Sequence, residues 1–249
     1  MNDVLSDIVK TGRTTLPTGE KVQANSYIDE SCGLLLQAAI RTERPRIGVE
    51  VGLAFGISTL YILEAFSDSG GEKLIGMDPD QHNGGWRGGG LHNISRAGYE
   101  HLYEFHEETS QQVLPALVGR REHIDFAFID GYHTFDHALI DFFFIDQLLK
   151  VGGVVVFDDV GYSSIKRVCD FIITNRGYEI YDCVRLKGNN SFSRRTKHTI
   201  NQLLRPLIRT DKTPGPEARR RESLIDDVYF LALKKESDDA RRWDHFVHF

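Results

Sequence analysis

Residues 47–59, Ile47-Gly-Val-Glu-Val-Gly-Leu-Ala-Phe-Gly-Ile-Ser-Thr59, decide the fold. The run from Ile47 to Val51 is short and apolar apart from one acid, the pattern of a strand buried on both faces of a parallel sheet. Gly52 and Gly56 then supply a turn, and residues 57–66 read as a helix. Strand, glycine turn and helix open a βαβ unit, and in open α/β sheets ligands bind beyond the carboxyl ends of the strands. The Gly52-x-x-x-Gly56 spacing is neither the dinucleotide fingerprint nor a phosphate loop, because no Gly-Lys-Ser/Thr follows. Glu50 repels a phosphate and suits a cation, so a cationic, adenosine-containing ligand fits this turn. The competing reading is a tight turn with no ligand.

Outward from this unit the same alternation repeats. Apolar runs at Lys73–Met77, Ile124–Ile129 and 154–157 read as further buried strands, and residues 26–40, 110–118, 134–149 and 163–174 read as helices. In the helix expected at 134–149, Phe135, Leu139, Phe142 and Phe143 form an apolar face, and Lys150 with Gly152 closes it. Residues 178–186 and 228–234 complete the strands. The pattern predicts an α/β fold with a mostly parallel sheet and helices on both faces. Residues 80–90, Asp-Gln-His-Asn-Gly-Gly-Trp-Arg-Gly-Gly-Gly, predict a mobile loop placed as a lid.

A chain of 249 residues allows one large domain or two small ones. With 41% hydrophobic and 27% charged residues, fibrous and wholly disordered classes are excluded. No apolar run approaches the roughly 20 residues of a membrane span. Residues 1–10 lack the apolar core of a secretory signal, and three widely spaced cysteines argue against a disulfide framework, so a cytoplasmic location without membrane partners is expected. The net charge of −6 argues against a general nucleic-acid binder. That sum conceals a segment at 187–221 with a charge of +8 and a remainder at −14. The basic run, within an insertion at 187–226 between the last two strands, reads either as a solvated loop or as an anion-binding lid. The tail at 243–249, Trp-Asp-His-Phe-Val-His-Phe, is aromatic enough to predict packing on the body or on a second copy of the chain, a homodimer.

The acids at the strand ends carry the chemistry. Asp78, at the tip of the strand after the glycine turn, stands where such folds hold ribose hydroxyls. Asp130 and the pair Asp158-Asp159 end two further strands. Three carboxylates together repel one another unless a cation sits among them, and oxygen ligands favour Mg²⁺ or Mn²⁺. His133 lies three residues past Asp130, placed to act as a general base near neutral pH. With His137 added, the same residue types also describe a metal-dependent hydrolase.

These residues resemble the class I S-adenosylmethionine-dependent methyltransferases. Within them the chain is similar to the metal-dependent O-methyltransferases of the catechol and caffeoyl-CoA type, and closer still to the macrocin-type enzymes that methylate sugar hydroxyls. The resemblance runs over residues 26–186 and the strand at 228–234. It implies a Rossmann-like, seven-stranded, mostly parallel sheet with an antiparallel last strand, forming one methyltransferase domain over residues 1–249. It further implies that residues 1–45 form a helical acceptor-side segment and residues 236–249 a C-terminal tail. By the same match Glu50 and Gly52, with Ala54 and Phe55 of the same turn, lie against the methionine part of S-adenosylmethionine, and Ser58 lies against its carboxylate. Asp78 holds the ribose, Ser110 and Gln111 flank the adenine, Tyr132 lies near that base, and Asp130 also borders the cofactor. Asp130, Asp158 and Asp159 match the metal ligands. Catechol-type enzymes have Asp-Asn where Asp158-Asp159 stands and a lysine where His133 stands. Asp130 with His133 is the pattern of the sugar-hydroxyl group, so the implied acceptor is a small sugar or phosphorylated metabolite, with Asp130 and His133 catalytic. A nitrogen acceptor on the same fold is the alternative.

Overall fold

The computed structural model describes residues 1–26, 28–186 and 224–247. A first helix, α1 (Asp3–Thr11), precedes a hairpin of β1 (Arg13–Thr15) and β2 (Lys21–Gln23), and α2 (Glu30–Glu43) follows. The alternating body then comprises β3 (Ile47–Val51), α3 (Ile57–Ser69), β4 (Lys73–Met77), α4 (Gly89–Ala97), β5 (Tyr103–His106), α5 (Ser110–Gly119), β6 (Ile124–Ile129), α6 (Phe135–Leu148), β7 (Leu149–Phe157) and α7 (Ser163–Asn175). Two final strands, β8 (Tyr178–Arg185) and β9 (Val228–Lys235), complete the described chain.

The main sheet has seven strands in the order β5-β4-β3-β6-β7-β9-β8. β3 to β7 are parallel, and β9 runs antiparallel between β7 and β8, as expected for the last strand. From β3 the chain builds outward to β4 and β5, then returns to add β6 on the other side. The order therefore reverses between β3 and β6, and a crevice opens there at the carboxyl ends of the strands.

Alternation along each strand feeds two cores. Phe126, Phe128, Val154, Val156 and Phe230 face one side, under α2 and α3; Val49, Val51, Ala127, Ile129 and Phe157 face the other, under α5, α6 and α7. α3 is buried on every side from Ile57 to Phe66 and reaches the surface only over its last three residues, so it is not a one-faced amphipathic helix.

Several boundaries differ from the sequence reading. The helix expected from residue 26 begins at Glu30, because the Asp29 side chain accepts the Cys32 N–H and caps it there. α6 stops at Leu148 and passes straight into β7, so Lys150 and Gly152 lie in the strand; pairing with β6 skips from Leu149 to Val154, and Gly152 has φ +89°. The segment at 1–45, expected to be helical, also contains the β1–β2 hairpin. The loop at 80–90 is not a free lid: Gln81 is fully buried, and Gly89 and Gly90 already belong to the buried start of α4. In the tail Trp243 is 93% and Phe246 78% exposed, and ion pairs of Arg176 and Arg241 with Asp239 tie its start to the body. The basic insertion at 187–221 lies outside the described residues. No helix among the described residues is long and apolar enough to cross a membrane.

Candidate active site at the sheet switch point

The glycine turn is fixed by two close approaches. Gly52 has φ +93°, and a Cβ there would lie 2.1 Å from the Asp130 carbonyl oxygen. Only glycine lets β3 and β6 end so near each other. Its N–H donates to the Met77 carbonyl at 2.9 Å, joining the turn to β4 as well. Ala54 follows with φ +49°, a conformation that costs an L residue roughly 1 kcal/mol or more. Asp78 Oδ2 meets this strained stretch, accepting the N–H groups of Leu53 at 3.1 Å and Ala54 at 2.9 Å, while Oδ1 accepts the Asp80 N–H at 2.9 Å. Asp78 thus braces the turn besides standing at the place expected for ribose.

Residues that no sequence signal marks hold the other side of the turn. The Gln81 carboxamide donates to the Ala54 carbonyl at 2.9 Å and accepts the Gly90 N–H at 2.9 Å. Asn93 donates to the Phe55 carbonyl at 2.9 Å and to the Thr14 hydroxyl at 2.7 Å, and all three side chains are buried. Phe55, expected against the cofactor, turns its ring into the core, edge-on to Trp86.

Under the turn, Glu50 is fully buried, and its Oε1 accepts the Ser58 hydroxyl at 2.8 Å. Ser58, expected against a carboxylate, is therefore directed at Glu50. Burial pushes the Glu50 carboxyl up to about 8, against the hydroxyls of Thr59 and Ser58, which favour its charged form. Ser110 and Gln111 sit in the first turn of α5, whose N-cap Thr109 forms a capping box with Gln112. Behind Ser110 the α6 residue Asp141 is 1% exposed, and burial raises its carboxyl to about 6. Tyr132 is 60% exposed beside the His137 ring.

Asp130, His133 and Asp159 converge, with one ligand atom from each lying within 4.8 Å of the others. The His133 Nε2 is 2.9 Å from Asp159 Oδ2 and 3.8 Å from Asp130 Oδ1. Hydrogen bonding to Asp130 and then to Asp159 raises the imidazole to about 10, well above the value that suits a free general base. Burial raises the Asp130 carboxyl, with the nearby Asp159 charge adding to it. The His133 loop precedes α6 rather than lying in it; its carbonyl accepts the Ser164 hydroxyl at 2.7 Å and its ring stacks on Tyr162.

Asp158 plays a different part from its neighbour. Its Oδ1 accepts the Asp159 N–H at 2.7 Å, and it is absent from the three-residue convergence. Asp159 has φ +54°, so the two side chains leave the strand end in different directions. Burial and then the Asp130 charge push the Asp158 carboxyl up to about 8. His137, which a hydrolase reading would recruit, bonds to Thr134 at 2.8 Å instead of joining the cluster.

A bulge in β9 adds a further polar group near this end of the sheet. Val184 pairs with Phe230 but Arg185 pairs with Val228, leaving Tyr229 as the extra residue. Its hydroxyl donates to Asp29 at 2.7 Å, and its carbonyl accepts the Val160 N–H at 2.9 Å.

Comparison with known proteins agrees with this geometry. Residues 49–160 match the family described as a methyltransferase domain. A caffeoyl-CoA O-methyltransferase of Stellaria longipes is 30% identical over 134 residues, 51% of each chain, and one of Medicago sativa is 28% identical over 139 residues, 53% of this chain and 52% of the relative. The chain thus spans about half the length of these curated relatives. An O-methyltransferase of Bacillus cereus, solved in complex with SAH, superposes with a TM-score of 0.62 at 16% identity, over 94% of this chain and 92% of that one. The O-methyltransferase TomG of Streptomyces achromogenes, solved with SAM, gives 0.62 at 16% identity over 94% and 91%. The glycine turn and the acids at the strand ends lie within the segment that matches the methyltransferase domain, and the chain shares its fold with these solved O-methyltransferases.

Proposed function

We propose that the protein is an S-adenosylmethionine-dependent, divalent-metal-dependent O-methyltransferase acting on a hydroxyl of a small polar acceptor, of the sugar or phosphorylated-metabolite class. The observation that carries this reading is the convergence of Asp130, His133 and Asp159 across the switch-point crevice from the braced glycine turn. Gly52, with Glu50 under the turn and Asp78 bonded to it, would hold S-adenosylmethionine, which when bound would supply an electrophilic methyl group. The acidic donor set fits a divalent cation, because carboxylates this close are raised in pKa and need a positive charge to share. Asp130 and Asp159 would hold such an ion, with Asp158 fixing Asp159 through its N–H. When bound, the ion supplies charge that lowers the pKa of the acceptor hydroxyl.

The chain's own residues then orient the reactants and move one proton. The acceptor oxygen would take the methyl group, a C–O bond forming as the C–S bond breaks with its electron pair left on sulfur. His133 takes the hydroxyl proton on Nε2. That role needs the neutral ring, and the pull of the Asp130 and Asp159 carboxylates that holds its proton weakens when they are engaged elsewhere. The His133 position favours a sugar hydroxyl over a catechol within this family. The described residues form one methyltransferase domain in this reading, with residues 1–45 on the acceptor side. The test is transfer of labelled methyl from S-adenosylmethionine to panels of hexoses, sugar phosphates, catechols and amines, with Mg²⁺, with Mn²⁺ and with a chelator. Chelator-sensitive labelling of the sugar panel is expected; labelling of amines alone, or labelling indifferent to the chelator, overturns the reading.

A further inference from the structure

Three buried polar atoms lie without a protein hydrogen-bond partner on one face of the sheet beneath the glycine turn: Glu50 Oε2, Thr59 Oγ1 and Tyr103 Oη. Their positions follow from register. Glu50 on β3 pairs with Gly76 on β4, and Gly76 pairs with Phe105 on β5, two residues beyond Tyr103. Because Gly76 has no side chain, the Tyr103 ring lies across it, its hydroxyl 1.8 Å from where a Cβ would stand. Neighbouring strands are about 4.8 Å apart, so the hydroxyl arrives beside the Glu50 side chain. The electrostatic influence of Glu50 on the phenol agrees with this. Thr59, one residue past the Ser58 that binds Oε1, borders the same carboxyl. Orphaned buried groups of this kind are rare, and three together form the polar, enclosed surroundings that a buried water needs, with two to four partners.

We propose that Tyr103 is a positioning residue for Glu50: with Thr59 it holds one internal water molecule against Glu50 Oε2, and this network keeps the carboxylate charged and aimed at the cofactor ammonium. The final clause rests on the cofactor reading above; the network itself does not. A hydroxyl and a water donating to a carboxylate stabilise its ionised form and offset part of the desolvation that burial imposes. The other groups facing Glu50 are Ser58 and Thr59 on α3, Asp78 after β4 and Asp130 after β6, and the two acids oppose its ionisation. Tyr103 and Thr59 thus counter the neighbouring charges.

The test is carbon-13 NMR of the full chain carrying labelled glutamate, with the Glu50 carboxyl assigned by Glu50→Gln and titrated without ligand, beside calorimetry with S-adenosylhomocysteine across the same pH range. Tyr103→Phe keeps the ring that packs over Gly76, and Thr59→Val keeps the volume, so both variants fold. Each is expected to raise the Glu50 midpoint by about one unit, which is a tenfold loss of ionisation at a given pH. The pH midpoint of cofactor affinity should rise with it. An unchanged Glu50 midpoint in Tyr103→Phe overturns the network. If the midpoint rises but the unmodified protein binds no S-adenosylhomocysteine, the network stands and the cofactor reading fails. A crystal structure with Tyr103 Oη bonded directly to Oε2 would remove the water from the proposal.

Discussion

Gln81 and Ala54, 27 residues apart in sequence, are joined by a 2.9 Å hydrogen bond from the side-chain amide to the main-chain carbonyl. Asp78 holds the N–H of the same alanine from the other side, so a strained residue is gripped at both of its polar groups. Such strain persists only where the surroundings over-determine it. Gln81→Ala takes the side-chain partner from the part-buried Ala54 carbonyl and from the buried Gly90 N–H, which costs about 2 kcal/mol. Urea unfolding should show that loss, and calorimetry should show S-adenosylhomocysteine binding roughly tenfold more weakly, about 1.4 kcal/mol. Full affinity in a destabilised variant would mean that the turn keeps its shape without the brace.

Two glycines separate conformational strain from steric exclusion. Gly70 has φ +81° with nothing within 4 Å of the place a Cβ would take, whereas Gly52 has φ +93° with the Asp130 carbonyl oxygen 2.1 Å from that place. Gly70→Ala pays only for the left-handed backbone, about 1–2 kcal/mol. Gly52→Ala must also part β3 from β6, so it should lose more than about 3 kcal/mol and all cofactor binding. Equal losses in the two variants, measured by thermal unfolding, would show that the close approach at the switch point is not what fixes Gly52.

The legibility of these features in the sequence tracks how local their causes are. β3, α3, β4 and β6 were readable because both faces are buried and the apolar runs are continuous. β5 was not: Tyr103-Glu-Phe-His106 is a short, half-buried edge strand with no such run. α4 was hidden behind Gly88, Gly89 and Gly90, which read as loop yet open a helix packed on the turn. The acids of the site were legible as strand ends, but not the division between Asp158 and Asp159, which depends on a single left-handed residue. Gln81, Asn93 and Tyr229 act across tens of residues through packing, and one sequence carries no local sign of that.

That division gives a prediction for cation binding. Asp159 supplies an atom to the cluster directly, while Asp158 acts through the Asp159 N–H. Mn²⁺ binding followed by electron paramagnetic resonance should weaken more than tenfold in Asp130→Asn and Asp159→Asn. Asp158→Asn, which keeps an acceptor for that N–H, should weaken it less. His133→Ala should abolish most methyl transfer with cofactor affinity nearly unchanged. Equal loss of Mn²⁺ in all three Asp variants would make Asp158 a ligand of the same rank.

Asp141 gives the clearest dependence of stability on pH. Its carboxyl is 1% exposed, and burial raises it from the ordinary 3.8 to about 6, only partly countered by the Ser110 hydroxyl. Between pH 4 and 6 the native state keeps a proton that the unfolded chain has released, so this group makes stability fall as pH rises through that window. Below the window the carboxyl is neutral in both states and costs nothing; above it, the buried charge costs up to about 3 kcal/mol. Asp141→Asn removes the charge and keeps an acceptor for Ser110. The variant should match the unmodified protein near pH 4 and exceed its melting temperature by several degrees at pH 7. Melting curves that run parallel across the range would show that Asp141 ionises without penalty, through a partner for the Oδ1 that now has none.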